Sequence, residues 1–298
     1  MSRIESGKPF LWMYWENPQG KPTPPHIRLC WETIKQKCQD DFEIVIVTPE
    51  NVANYLPDLN PGYQLFEKIA HKADYIRFNL LYRHSGIWID SDFIAFRSLK
   101  PVVDKIEEFG FVYTGYKVSA NKIFPLISFL GAVKEHPIMK ALIRQAELCI
   151  EERLKKGVQP AWDEIGGNAL KNLINKNNGY CYETHFFFPI KTYYHCRPLF
   201  LDLEFEQFIA KDPFGQSLAQ SVIGDFLTYM GTDLLKMNNL LARMFQHALG
   251  DNWMQMSRFL FVQNQKNDLQ KGLALLRPPG KWTVLINKVK ERVRSRLA

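Results

Sequence analysis

The feature that most constrains this chain is a short apolar strand followed at once by two carboxylates. In the segment Lys72–Leu99, the sequence predicts a strand over Ile87–Ile89 with Asp90 and Asp92 at its C-terminal end. Aspartate is disfavoured within strands, and two neighbouring negative charges require compensation. Mg²⁺ and Mn²⁺ prefer oxygen ligands, and Mg²⁺ often combines one or two carboxylates with a substrate phosphate. We therefore predict that this pair binds Mn²⁺ or Mg²⁺ together with a diphosphate.

A helix is predicted immediately before this strand, over about Gln64–Arg83. Its apolar residues recur every three or four positions and form one buried stripe; they are Phe66, Ile69, Ala73, Ile76 and Leu80. Asp74 and Arg77 lie three residues apart on the flank of that stripe, where they can form a pair. Gly86 is expected to end the helix.

Strands and helices alternate over the first 120 residues, which favours an α/β fold. The predicted strands are Phe10–Trp15, Phe42–Val47, Ile87–Ile89 and Phe109–Tyr116, and the helices between them are His26–Cys38, Pro49–Leu56 and Gln64–Arg83. We expect an open parallel or mixed sheet with helices on both sides, and ligands bind such sheets beyond the carboxyl ends of the strands. Beyond Pro125 the pattern is mainly helical, over Pro137–Leu154, Gly167–Asn175 and Gln216–Gln263.

Composition limits the protein class without selecting one function. The 298 residues are 46% hydrophobic, and the net charge of +7 suits an anionic nucleotide, an anionic membrane or nucleic acid. Five scattered cysteines without a C-x-x-C pair predict reduced thiols. The sequence has neither a signal-peptide pattern nor an apolar window of the ~20 residues that span a bilayer. These features predict a cytoplasmic protein.

The C-terminal segment Lys281–Ala298 is basic and amphipathic. Its apolar stripe consists of Ile286, Val289, Val293 and Leu297, with cationic residues around it. Such a helix either lies on anionic lipid at the inner face of the membrane, where a lipid-linked acceptor would be presented, or packs on its own domain. Both alternatives are open from the sequence.

The order of these motifs resembles a known family. A first strand ending in Trp is followed by Ala-Asp-x-x-Arg on a helix and by Gly-Ile-Trp-Ile-Asp-x-Asp. This order resembles the DXD-containing sugar-binding region of bacterial capsular polysaccharide synthesis glycosyltransferases, fungal α-mannosyltransferases and clostridial glucosylating toxins. The resemblance implies a GT-A type, nucleotide-binding mixed sheet flanked by helices, with a mainly helical C-terminal part. It implies a catalytic domain over residues 1–235 and a helical extension with the basic tail over residues 236–298.

The resemblance also assigns roles to single residues. Asp90 and Asp92 match the metal-binding pair, and Asp90 would also reach the ribose or the donor sugar. Asp74 and Arg77 match the pair that holds donor hydroxyls and stabilises the departing diphosphate. Trp12 matches the residue that stacks on the nucleotide base. The implied reaction moves a hexose from a UDP- or GDP-sugar to a saccharide or lipid-linked saccharide, with retention at the anomeric carbon.

Two further parts of the family pattern match less closely. Relatives supply a late metal or phosphate contact, for which the weak candidates here are Ser221, Asp225 and His195. The segment Trp162–Asn168 corresponds to a Gly-rich segment on the acceptor side, so Asp163 and Glu164 could face the acceptor.

Simpler interpretations stand beside each assignment. Asp90 and Asp92 could cap a turn, Asp74 and Arg77 could be an exposed pair, and Trp12 could belong to the core. Asp163 and Glu164 could be the acidic start of a helix. A phosphatase of the haloacid dehalogenase type, with Asp-x-Asp as nucleophile and acid/base, is the main alternative enzyme. A nucleic-acid-binding protein is less favoured, because the basic residues form no recognised binding module outside the tail.

Overall fold

The computed structural model describes residues 7–18, 21–119, 122–174, 179–192 and 196–256. The chain divides into two compact units, Met1–Met254 and Gln255–Ala298. The second unit lies almost entirely outside the described residues, as does the predicted amphipathic segment Lys281–Ala298. Among the described helices, none is both long and apolar enough to cross a bilayer.

A six-stranded mixed sheet forms the centre of the first unit, with the strand order β2-β1-β3-β6-β5-β7. Its strands are β1 (Phe10–Tyr14), β2 (Glu43–Val47), β3 (Gly86–Ile89), β5 (Phe111–Ser119), β6 (Lys122–Ala132) and β7 (Tyr180–Glu183). Strands β1, β2 and β3 are parallel, whereas β6 is antiparallel to both of its neighbours. A separate antiparallel pair joins β4 (Phe93–Ala95) to β8 (Gly215–Ser217).

Helices cover both faces of this sheet, which confirms the expected α/β architecture. They are α1 (Pro25–Cys38), α2 (Val52–Tyr55), α3 (Ile69–His84), α4 (Lys100–Phe109), α5 (Pro137–Glu152), α6 (Gly167–Leu173), α7 (Glu206–Ile209), α8 (Gln220–Met230) and α9 (Leu240–Leu249). Successive strand residues point to opposite faces, so Leu11 and Met13 enter the core with α1 and α4. Trp12 and Tyr14 enter the other core, with α3 and α5.

The turn between α3 and β3 determines where the acidic pair lies. Ser85 and Gly86 both have positive φ, at 63° and 104°. A Cβ on Gly86 would lie only 2.4 Å from the carbonyl oxygen of Phe10, so glycine is required at this close approach. The chain therefore turns directly from α3 into β3, beside β1, and Asp90 follows at the carboxyl edge of the parallel strands.

Several sequence-based boundaries were wrong. The helix predicted from Gln64 begins at Ile69, after a 3₁₀ turn over Pro61–Leu65. The region beyond Pro125 is less helical than expected, because β6, β7 and β8 pair with strands that lie far away in the sequence. The helical stretch predicted from Gln216 is divided into α8, a 3₁₀ turn and α9. Because α9 packs against α1 and β4, the compact unit extends beyond residue 235.

Candidate functional site

Arg77 joins two carboxylates at the carboxyl edge of the sheet. Its Nη2 lies 3.1 Å from Oδ1 of Asp74 and 3.2 Å from Oδ1 of Asp90, and its Nη1 donates to the Ile127 carbonyl. The guanidinium stacks over the Trp88 ring at 4.7 Å, and the Trp88 indole donates to Asp90 at 3.0 Å. Only 4% of the Arg77 side chain is exposed. Sequence reasoning paired Asp74 with Arg77 correctly, but an exposed pair is excluded by this burial.

The environment of Asp74 favours its neutral form more than is usual for aspartate. Burial raises the pKa of Asp74 to about 7, the Arg77 guanidinium opposes that rise, and the negative charges of Asp90 and Asp163 add to it. Three carboxyl groups thus share one cation. The Arg77 network is therefore short of positive charge even before a ligand arrives.

Asp92 lies in a different setting, between β4 and the start of α8. It is 3% exposed, and its Oδ2 accepts a hydrogen bond from the backbone N–H of Gln220. Its Oδ1 is buried and has no hydrogen-bond partner within the part of the chain that is described. Burial, and then the charge of Asp90, raise the pKa of Asp92 to about 7. An unpartnered buried carboxylate oxygen is costly unless something binds it.

His26 and Gln220 form a second layer behind Asp92. The Nε2 atom of His26 lies 2.7 Å from Oε1 of Gln220, whose backbone N–H binds Asp92. Burial lowers the pKa of His26 to about 4, so the imidazole is neutral near pH 7. Because a carbonyl oxygen only accepts, Nε2 carries the ring proton in this arrangement. His26 therefore helps to fix the start of α8 against the acidic pair.

Sequence reasoning assigned no role to His26 or Gln220. The pairing of Phe93 with Ser217 in the β4–β8 ribbon brings Gln220 to Asp92 across more than a hundred residues, and no local pattern encodes that contact. Ser221, a candidate for the late contact, follows Gln220 but is exposed. His195 and the side chain of Asp225 lie outside what the structure describes.

Trp12 is a core residue, which corrects its predicted role in base stacking. Its side chain is fully buried, and its indole N–H donates to the Ser85 carbonyl at 2.8 Å. Phe10 stacks on it at a centroid distance of 4.5 Å, and Tyr55 meets it edge-on at 5.3 Å. No face of the Trp12 ring is open to a nucleotide.

A cavity of about 320 Å³ opens beyond the carboxyl ends of β1 and β2 instead. Its lining consists of Trp15, Glu16, Asn17, Thr23, Trp31, Ile46, Thr48, Pro49 and Glu50. The cavity adjoins the acidic site, because the Ser91 hydroxyl donates to the Tyr14 carbonyl at 2.9 Å and Lys72 pairs with Glu16 at 2.9 Å. Aromatic rings and polar groups thus share one concave surface, as is common in ligand sites.

The turn over residues 162–166 borders the acidic site on the other side. A Cβ on Gly166 would lie 2.8 Å from Oδ2 of Asp74, so the turn packs directly on that carboxylate. Glu164 is occupied by structural contacts, because it accepts from the Ala161 N–H at 2.8 Å and pairs with Arg153. Of the two predicted acceptor-side residues, only Asp163 keeps a carboxylate free of such bonds.

The acidic pair suits a cation that a substrate helps to hold. Within the described residues, no group of three or more His, Cys, Asp or Glu side chains is arranged to bind a metal ion. Asp90 and Asp92 are therefore two ligands without a third from the same residue types. This number matches the coordination of Mg²⁺ by one or two carboxylates completed by substrate phosphate and water.

Comparison with known proteins gives this geometry a family context. Residues 2–147 match the family described as "Capsular polysaccharide synthesis protein". The resemblance inferred from the sequence is confirmed. The match to the capsular polysaccharide synthesis family includes Asp74, Arg77, Asp90 and Asp92, and it ends before the turn at residue 162 and before Gln220.

Individual relatives are more distant. The "Uncharacterized glycosyltransferase L373" of Acanthamoeba polyphaga mimivirus is 26% identical over 91 residues, which cover 30% of this chain and 35% of that protein. The chain therefore aligns with about a third of the length of this curated relative. The glycosyltransferase GlyE of Streptococcus pneumoniae TIGR4 aligns with a TM-score of 0.48 and 12% identity over 86% of this chain and 64% of its own. The galactosyltransferase LgtC, in complex with donor and acceptor sugar analogues, aligns with a TM-score of 0.39 and 15% identity over 63% of this chain and 80% of its own.

Proposed function

We propose that this protein is a metal-dependent glycosyltransferase of surface polysaccharide synthesis. It would transfer a hexose from a UDP- or GDP-linked donor to a saccharide or lipid-linked saccharide, with retention at the anomeric carbon. One observation carries the proposal: the unpartnered Oδ1 of Asp92 lies beside Asp90 at the carboxyl edge of a sheet that matches the capsular polysaccharide synthesis family.

Asp90 and Asp92 would hold Mn²⁺ or Mg²⁺. The buried Oδ1 of Asp92 fits this role, because it has no other hydrogen-bond partner within the described residues and its own pKa is raised by the neighbouring Asp90. The bound cation would neutralise negative charge on the departing diphosphate. Gln220 would keep Asp92 in place through its backbone N–H, and His26 would keep Gln220 in place.

Arg77 would act by orienting Asp74 and Asp90. The sequence suggested a direct contact between Arg77 and the diphosphate, but the side chain is 4% exposed and is engaged with two carboxylates and a carbonyl. Asp74 and Asp90 would then accept hydrogen bonds from donor hydroxyls in fixed directions. Preorganised polar groups of this kind are effective because they need not reorient during the reaction.

The nucleoside of the donor would occupy the cavity beyond β1 and β2. Trp15 and Trp31 offer aromatic surface there, and Glu16 and Asn17 offer polar atoms. The Ser91–Tyr14 contact links this cavity to the acidic pair. A donor could therefore reach from the cavity to Asp90 with its diphosphate near the proposed cation.

The transfer step balances without a protein nucleophile. The bond between the anomeric carbon and the diphosphate oxygen breaks, and its electron pair stays on the diphosphate. A new bond forms between that carbon and the acceptor oxygen, whose proton passes to the released diphosphate. The phosphatase alternative needs a free nucleophilic Asp, whereas Asp90 is held by both Arg77 and the Trp88 indole.

Ligand-dependent thermal stability tests the proposal directly. We expect a UDP- or GDP-sugar to raise the melting temperature in the presence of Mn²⁺ and to have little effect in EDTA, because ligands that bind the native state stabilise it. Incubation with the stabilising donor should release the nucleoside diphosphate, and NMR of the glycosylated product should show the anomeric configuration of the donor. Release of inorganic phosphate from simple phosphate esters, without any effect of nucleotide sugars, would support the phosphatase instead.

Cytoplasmic location and attachment to the membrane through the C-terminal tail remain part of the proposal. Deletion of Lys281–Ala298 should abolish co-sedimentation with anionic liposomes if the tail lies on lipid. Equal co-sedimentation of the full-length and shortened proteins would argue against this attachment.

A further inference from the structure

An exposed tryptophan stands at the border of the acidic site. Trp162 is 46% exposed, which is unusual for so large an aromatic side chain. The ammonium group of Lys68 lies 5.0 Å from its ring centroid, and the ring of His71 lies 6.2 Å away. The ring is therefore supported by neighbours and still presents surface to solvent.

The turn that carries Trp162 is fixed to the core. The backbone carbonyl of Trp162 lies 3.1 Å from Nε2 of His71, which must donate because a carbonyl only accepts. The N–H of Asn168 donates to the Asp163 carbonyl at 2.9 Å, and Glu164 binds the Ala161 N–H. A ring held in this way loses little conformational entropy when a ligand binds it.

The same turn reaches the reacting centre of the proposed enzyme. Gly166 packs against the Asp74 carboxylate so closely that a Cβ would lie 2.8 Å from its Oδ2. Asp163 is near enough for its charge to raise the pKa of Asp74. Trp162 and Asp163 are therefore neighbours of the carboxylate that would hold the donor sugar.

Asp163 differs from the adjacent Glu164 in its availability. Glu164 is bound to Arg153 and to the Ala161 N–H. The half-buried Asp163 carboxylate makes no hydrogen bond or ion pair with another described residue. One open carboxylate thus lies next to one open aromatic ring.

We infer that Trp162 and Asp163 form the binding site for a saccharide acceptor, an inference that rests on the proposed glycosyltransferase function. The flat ring suits the apolar C–H face of a pyranose, and the carboxylate accepts strong hydrogen bonds from its hydroxyl groups. A sugar placed there would have its attacking hydroxyl directed toward Asp74 and the donor. The acceptor class is therefore a pyranoside that is recognised by its ring rather than by a phosphate or lipid group.

Steady-state transfer assays test this site with the full-length protein. The acceptor probes are 4-nitrophenyl glucosides, galactosides, mannosides and N-acetylglucosaminides, with glycerol and undecaprenyl phosphate as acceptors that lack a pyranose. We expect Trp162→Ala to raise the acceptor KM at least tenfold. The donor KM and the hydrolysis of donor by water should stay within twofold of wild type. Trp162→Phe should recover most of the loss, because it restores an aromatic face.

Two matched controls separate binding from folding. Phe109→Ala removes a similarly exposed aromatic ring on α4 and should leave the acceptor KM unchanged. Asp163→Asn should raise the acceptor KM several-fold, whereas Glu164→Gln should lower the melting temperature more than it alters the acceptor KM.

The possible outcomes distinguish this inference from the function beneath it. Wild-type protein that neither binds nor hydrolyses any nucleotide sugar would overturn the proposed function itself. Normal donor hydrolysis with an unchanged acceptor KM in Trp162→Ala would overturn the acceptor site alone. Transfer only to glycerol or undecaprenyl phosphate would equally reject a pyranoside acceptor.

Discussion

The two parts of the acidic edge, around Arg77 and around Asp92, solve the problem of buried charge differently. Asp74 and Asp90 share the Arg77 guanidinium at 3.1 and 3.2 Å. Asp92 has no ion-pair partner among the described residues, and one of its oxygens is held by the N–H of Gln220 while the other has no bond. The first part is a nearly complete network, whereas the second part is complete only when a cation binds.

This difference predicts that the two parts fail in different ways when they are changed. Removing the cation of a buried network leaves uncompensated charge and damages the fold. Removing a carboxylate that lacks a partner relieves a strained site but abolishes its affinity for metal. Substitutions at the two parts should therefore separate stability from metal binding.

The largest effect is expected for Arg77→Met. The change leaves the buried Asp74 without its guanidinium partner and should lower the free energy of unfolding by about 3–5 kcal/mol, measured by urea denaturation. Arg83→Met is the matched control, because Arg83 lies on the same helix in an exposed pair with Asp58. Similar losses for the two variants would remove the distinction between the network and an ordinary surface pair.

Asp92→Asn should preserve the fold and abolish metal dependence. We expect turnover to fall by roughly 10²–10³, as for loss of one preorganised electrostatic group. The stabilisation of the protein by Mn²⁺ together with a nucleotide sugar should also disappear. Asp104→Asn, which changes an exposed carboxylate on α4, should leave the Mn²⁺ effect intact. A normal Mn²⁺ response in Asp92→Asn would show that the ion binds elsewhere.

Gly166→Ala tests the contact between the turn and the Arg77 network. A Cβ there would meet Asp74 at 2.8 Å and Ile127 at 2.5 Å. Overpacking of this kind costs about 1–3 kcal/mol, and the displaced Asp74 should weaken donor binding in calorimetric titrations. Gly167→Ala, whose Cβ would meet the Phe124 ring at 3.3 Å, should have a much smaller effect. Equal donor affinity in both variants would separate the turn from the donor site.

The smallest effect concerns His26 and pH. Its folded pKa of about 4 lies below the ordinary value of 6.5, so the unfolded chain binds the extra proton between these pH values. Stability from this group is therefore complete above pH 6.5 and falls as the pH drops toward 4, by at most about 1.4 kcal/mol per pH unit. His26→Gln keeps a donor for Gln220 and should flatten this dependence in urea denaturation at pH 5 and pH 7. An unaltered slope would mean that other groups govern this range.

Local patterns were sufficient for some parts of the site and insufficient for others. The apolar strand before Asp90 and the spacing of Asp74 and Arg77 are local, and both predicted the observed arrangement. The Ile127 carbonyl depends on the pairing of β3 with β6, and Gln220 depends on the pairing of β4 with β8. Such long-range pairings leave no mark in a short segment of sequence.

Trp12 illustrates a different limit of sequence reasoning. Alternation along β1 assigns Trp12 and Tyr14 to the same face of the sheet, but the sequence does not tell how completely α2 and α3 cover that face. In the structure Trp12 is fully buried, and aromatic surface for a ligand comes from Trp15, just beyond the strand. A position one turn of the strand further along the chain therefore changes a core residue into a ligand-facing one.

The β4–β8 ribbon has a consequence for biosynthesis. A growing polypeptide that has emerged only as far as β6 already contains Asp74, Arg77, Asp90 and Asp92, but it lacks the backbone N–H that secures Asp92. Contacts between distant segments form late, and domains are exposed to misfolding while they wait for them. A nascent chain halted before residue 220 would thus carry every motif of the acidic edge and still be unable to hold its second aspartate in place.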